Sequence, residues 1–82
     1  MRKSIHSKGQ DVLVAALRRM RRDAGLTQIE LAQRLKTSQS VVSKVERGER
    51  RLDVLELRQW CTAADTDFAE WVAKLHRRLG RG

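Results

Sequence analysis

Gln39, Ser40, Ser43, Lys44 and Arg47 fall at the spacing that puts them on one side of a helix, and Gln28 stands at the start of the helical segment before it. Carboxamides, hydroxyls and cations are the groups that read base edges and hold phosphates. No nucleophile and base stand together in a usable pattern, and no glycine-rich phosphate loop is present. His6 and His76 lie in opposite terminal segments without ligand spacing. We therefore expect a binding protein and not an enzyme, with no catalytic residue, metal or cofactor.

The elements that must position these side chains lie within Leu26–Arg51. Thr27 and Glu30 have the T-x-x-E spacing of a capping box, in which each residue satisfies the other's amide. Leu26 and Leu31 bracket that cap as a hydrophobic staple. Ile29, Leu31, Ala32 and Leu35 then form an apolar stripe of helical period. Lys36 and Thr37 break the pattern, and Ser38 restarts it as an N-cap. Val41, Val42 and Val45 supply the second apolar face, and Gly48 provides a left-handed stop. Two helices this short cannot stand alone.

This stretch resembles the helix-turn-helix of the Cro/C1-type (Xre-like) family. The matching residues are Leu26-Thr27-Gln28, Leu31-Ala32, Leu35, Ser38-Gln39, Val42-Ser43, Glu46 and Gly48. The likeness continues more weakly from about Leu13 to Leu79. It implies an all-α, five-helix lambda-repressor-like domain that binds double-stranded DNA. It further implies that Gln28 contacts a phosphate and braces Gln39, that Gln39 reaches a base, and that Arg21 pairs with Glu46. At Lys36 and Asp65 the family commonly has glycine. A left-handed Lys36 would cost on the order of 1 kcal/mol.

Length and charge agree with this. Eighty-two residues allow one small domain. Eighteen Lys and Arg against ten Asp and Glu give a net charge of +8, which calls for an anionic partner. Proline is absent, and a single cysteine, Cys61, fits a reducing cytoplasm. No apolar run is long enough to cross a membrane, and no signal core is visible, so the expected location is cytoplasmic.

We divide the chain into a basic flexible arm (1–9), a DNA-binding domain (10–79, with the helix-turn-helix at about 27–47) and a disordered tail (80–82). The first helix begins between Ser7 and Gln10 and runs to Ala24. Leu13, Val14, Ala16, Leu17, Met20 and Ala24 form its apolar face, and Gly25 ends it. The remaining arginines, Arg18, Arg19 and Arg22, read as a mostly solvated cluster that complements the helix dipole. Asp53 and Glu56 box the start of a fourth helix, about 54–64, expected to bury Val54, Leu57, Trp60, Cys61 and Ala64. Asp67 and Glu70 box a fifth, about 68–79. Its stripe of Phe68, Trp71, Val72, Leu75 and Leu79 is wider than one small core needs. Trp71, Leu75 and Leu79 are the expected dimer interface.

Placed in the major groove, Gln39, Ser40, Val41 and Lys44 are the expected base contacts. Gln39 suits adenine, Lys44 guanine and Val41 a thymine methyl. Gln28, Ser38, Ser43, Arg47, Arg50 and Arg51 are the expected phosphate contacts. The leading expectation is a dimeric transcriptional repressor on a palindromic operator. A restriction-modification controller that also touches RNA polymerase, or an antitoxin holding a toxin, is a variant of that reading. A basic RNA- or membrane-surface-binding protein is the alternative of another class.

Overall fold

The computed structural model describes residues 7–80. Arg2, Lys3, His6 and Arg81, assigned above to the arm and tail, lie outside them. Five helices and no strand form the described chain: α1 (Lys8–Asp23), α2 (Gln28–Leu35), α3 (Gln39–Glu46), α4 (Val54–Ala63) and α5 (Phe68–Leu79). None is long and apolar enough to cross a membrane. The all-α expectation holds.

Each helix starts on the side chain that the sequence offers for it. Ser7, Thr27, Ser38, Asp53 and Asp67 are the N-caps, all in extended backbone. Thr27–Glu30 and Asp53–Glu56 close full capping boxes. Asp67 supplies the forward half, accepting the Glu70 amide at 2.9 Å. Since Ser7 caps α1, Lys8 and Gly9 belong to the helix and not to the arm.

Four helix ends share one stop. Gly25, Lys36, Gly48 and Asp65 all have positive φ. After each, the next amide reaches back to a carbonyl five residues earlier: Leu26 to Arg21, Thr37 to Ala32, Glu49 to Lys44 and Thr66 to Cys61. This is the Schellman arrangement. Glycine fills it twice without strain. Lys36 (φ 58°) and Asp65 (φ 52°) fill it as L-residues in a region that penalises a Cβ.

The core gathers Leu17 and Met20 of α1, Leu31 and Ala32 of α2, Val42 and Val45 of α3, and Trp60 and Cys61 of α4. Leu26 and Ala64 join it from the turns. Burial pushes the Cys61 thiol up to about 11, so at neutral pH it is a protonated packing group. Trp60 is only 3% exposed and serves the core.

Three expected core positions are exposed. Ile29 stands in the first turn of α2 and is 54% exposed. Val54, at the first position of α4, is 68% exposed, and Ala24 lies outside the core as the α1 C-cap. Helix termini overhang their neighbours, so a periodic stripe overstates burial at its ends. In α5 no residue is fully buried; Phe68, Trp71 and Leu75 are half-buried, while Val72 and Leu79 are just exposed, at 36% and 37%, with Leu79 lying near Gly9 of α1.

The turn at Lys36 gives a direct test. Lys36→Gly removes the left-handed penalty without breaking a side-chain hydrogen bond or ion pair, and should stabilise the domain by about 1 kcal/mol. In a thermal melt this is a rise of about 4–8 °C. No rise, or a fall, would show that this turn is not strained.

Candidate nucleic-acid interface

The outward face of α3 exists because its inward face is fully committed. Val42, Val45 and Glu46 are buried, and helical periodicity then places Gln39, Ser40, Lys44 and Arg47 on the exposed side. Ser43 and Val41 are half-buried at the edges of that face.

Glu46 is the buried charge of this core, 2% exposed. Arg21 grips it with two guanidinium nitrogens, Nε to Oε2 at 2.7 Å and Nη2 to Oε1 at 2.9 Å. Its third nitrogen, Nη1, donates to the Leu26 carbonyl at 2.9 Å. The bond to Glu46 raises the Arg21 pKa further above its ordinary value. Gln28 Nε2 donates to the same Oε1 at 3.1 Å. Among the described residues no buried side-chain polar atom lacks a partner. The pair implied by the family resemblance is therefore present, with a third donor on the carboxylate.

Arg18 is a residue that sequence reasoning missed. Its Nη2 and Nε donate to the Glu46 backbone carbonyl at 2.7 and 3.2 Å, capping the C-terminal end of α3. A cation there meets the negative end of the helix dipole. In the sequence it is one arginine in a run, with no signal that separates it from Arg19 or Arg22.

The other end of α3 is held through Gln28. Its Oε1 accepts from Gln39 Nε2 at 3.2 Å, so Arg21, Glu46, Gln28 and Gln39 form one hydrogen-bonded chain from the core to the surface. The implied bracing of Gln39 is thus present. Ser38 faces the Val41 amide as N-cap at 3.3 Å.

The expected phosphate residues are less uniform. Arg47 pairs with Glu49 through two bonds, at 3.0 and 3.1 Å, and also donates to Ser43 Oγ. Arg50 joins Glu56 at 2.9 Å and the Arg51 carbonyl at 3.1 Å, tying the α3–α4 loop to the start of α4. The Arg50 bond, with the Asp53 amide, holds the Glu56 carboxyl below its ordinary value. Arg51 is exposed at the same rim. Sequence spacing does not reveal that Arg47 and Arg50 already have acidic neighbours in the fold.

Among the described residues no cluster of His, Cys, Asp and Glu is arranged to hold a metal ion. The site's chemistry is that of hydrogen-bond donors and acceptors on a rigid helix.

The Arg21–Glu46 pair predicts a coupled stability cost. Arg21→Met leaves a buried carboxylate uncompensated and should cost about 3–5 kcal/mol. Arg21→Met combined with Glu46→Met removes both charges and should cost clearly less than the sum of the single changes. Urea unfolding of the four proteins measures this; simple additivity would show that the two groups do not act as a pair.

A sequence profile described as helix-turn-helix matches residues 17–71, well over half of the chain. No curated protein sequence matches. Among solved structures, an XRE-family like protein from Pseudomonas syringae pv. tomato str. DC3000 is 43% identical, with TM-score 0.82 and 92% of each chain covered. The clp gene regulator ClgR from C. glutamicum is 27% identical with TM-score 0.77, over 94% of this chain and 100% of that one. A point mutant of the restriction-modification controller protein C.Esp1396I superposes with TM-score 0.80 over 92% and 95% of the two chains. At 19% identity, that last likeness shows the fold alone. With its second short helix braced by Gln28 and Glu46, the chain belongs to the XRE-like helix-turn-helix family of DNA-binding regulators.

Proposed function

We propose that this protein is a dimeric transcriptional repressor that reads a palindromic operator by inserting α3 into the major groove. The observation that carries the reading is the outward face of α3, where Gln39, Ser40 and Lys44 are exposed on a helix fixed from inside by Glu46. Gln39 takes an adenine edge, Lys44 a guanine O6/N7 edge, and Ser40 either partner. Val41, at the edge of the face, meets a thymine methyl. Gln28, Ser38, Ser43 and Arg51 contact phosphates, which position the protein without carrying sequence information. Arg47 and Arg50 join them by sharing their guanidinium groups between phosphate and their acidic neighbours Glu49 and Glu56.

One recognition helix reads only a few base pairs. Two related by a two-fold axis read half-sites about 34–36 Å apart, one turn of the duplex. Trp71, Leu75 and Leu79 of α5 supply the dimer contact, with Val72 exposed beside them. The ClgR and XRE-family likenesses support a role in gene regulation. A membrane-surface role finds little support: among the described residues no aromatic ring is exposed for insertion.

In vitro selection on random duplex DNA should enrich a two-fold symmetric motif with half-sites one turn apart. Enrichment of a single half-site would remove the dimer, and retention of all sequences alike would remove specific readout. On the selected site Gln39→Ala should cost about 1–3 kcal/mol and relax one position. Arg51→Ala should weaken all sequences alike and reduce the salt slope by about one. Leu79→Glu should convert a sedimenting dimer to monomer; a monomeric wild type would contradict the proposed interface.

A further inference from the structure

The contact of Gln39 with a base has a direction, and a residue that never touches DNA sets it. Glu46 is gripped by Arg21 through both carboxylate oxygens. An ionised carboxylate has no proton to give, so Gln28 must present its Nε2 to Glu46, as it does at 3.1 Å. That leaves Gln28 Oε1 for Gln39, and a carbonyl oxygen only accepts. Gln39 must therefore donate its Nε2, as it does at 3.2 Å. A carboxamide turned end for end has nearly the same shape. Only hydrogen-bond polarity separates the two orientations, and Glu46 decides it for both glutamines in series.

The consequence lies at the tip of Gln39. With one Nε2 proton spent on Gln28, Gln39 keeps its Oε1 acceptor and one N–H donor for DNA. Adenine offers the N6 donor and the N7 acceptor in the major groove, the complement of that pair. Guanine offers two acceptors, O6 and N7, and needs two donors. With the opposite polarity Gln39 would spend its Oε1 on Gln28 and turn both N–H groups toward guanine.

We propose that Glu46 is a positioning residue for base specificity: by accepting from Gln28 Nε2 it fixes the polarity of the Gln28–Gln39 relay and selects adenine over guanine. This inference rests on the reading of Gln39 as a base contact. Arg21 assists by holding the carboxylate so that Oε1 stays directed at Gln28.

The test compares affinities for otherwise identical duplexes that carry adenine or guanine at the position read by Gln39. That position is identified as the one whose preference Gln39→Ala removes. Wild type should favour adenine by about 5- to 100-fold, the range of one bidentate base contact. The decisive variant is Gln28→Lys. A lysine ammonium carries donors only, so it satisfies Glu46 and also donates to Gln39 Oε1. Gln39 then turns its two N–H groups outward, and the preference should reverse to guanine. Because Gln28 is itself a proposed phosphate contact, random-DNA affinity is measured alongside, and the outcome is read from the adenine-to-guanine ratio alone.

The Arg21→Met/Glu46→Met double variant should retain binding while its adenine-to-guanine ratio falls, because Gln28 has lost the acceptor inside the protein that orients it and keeps only the phosphate. A purely structural role would weaken both duplexes by one factor and leave the ratio unchanged. If the double variant fails to fold by circular dichroism, Gln28→Lys alone decides. An adenine preference kept in Gln28→Lys, or equal affinity for the two purines, would overturn the proposal. If Gln39→Ala alters no position at all, the base-reading role of Gln39 falls, and this inference with it. That failure is distinct, because it appears before any change at Gln28 or Glu46 is made.

Discussion

A charge placed inside an apolar core must be answered in full, and this domain is arranged around one such answer. Glu46 lies at the end of α3 with its side chain turned inward. Taking a carboxylate out of water costs several kcal/mol, which is recovered only with good geometry and further hydrogen bonds to its oxygens. Arg21 supplies the geometry, Gln28 supplies a third donor, and Arg18 takes the backbone carbonyl of the same residue. These bonds draw α1, α2 and α3 onto one point. Hydrophobic contacts alone would leave an eight-residue helix free to slide or rotate. A directional network removes both freedoms, and a helix that must present a fixed edge to DNA needs that.

Much of this was legible in the sequence because the information is local. A cap is written in three or four consecutive residues, so Thr27–Glu30 and Asp53–Glu56 state their helix starts directly. The break at Lys36 and Thr37 places the turn even where glycine is missing, because the apolar period stops there. The family resemblance added what no local pattern holds, the Arg21–Glu46 pair and the bracing of Gln39 by Gln28. Both join residues distant in the chain.

What stayed hidden is long-range or depends on where an element ends against its neighbour. Arg18 resembles Arg19 and Arg22 until α3 is folded across it. Arg50 finds Glu56 only when the loop turns back on α4. Ile29 and Val54 carry the right side chains for a core but sit on first turns that overhang it, and period alone cannot show an overhang. The α5 stripe is legible as an amphipathic face, and in the fold it packs on α1 and α4 with no residue fully buried.

The claim at the centre is that Glu46 orders the glutamine relay from within. The side-chain amide protons of Gln28, followed by nuclear magnetic resonance in isotopically labelled protein, test it most directly. A bound Nε2 should give two well-separated proton signals that exchange slowly with water and are shifted from those of exposed Gln33 and Gln59. In the Arg21→Met/Glu46→Met variant, with its fold intact, those signals should move to the exposed-glutamine position and exchange rapidly. Gln28 signals that already match Gln33 and Gln59 in the wild-type protein would contradict the account.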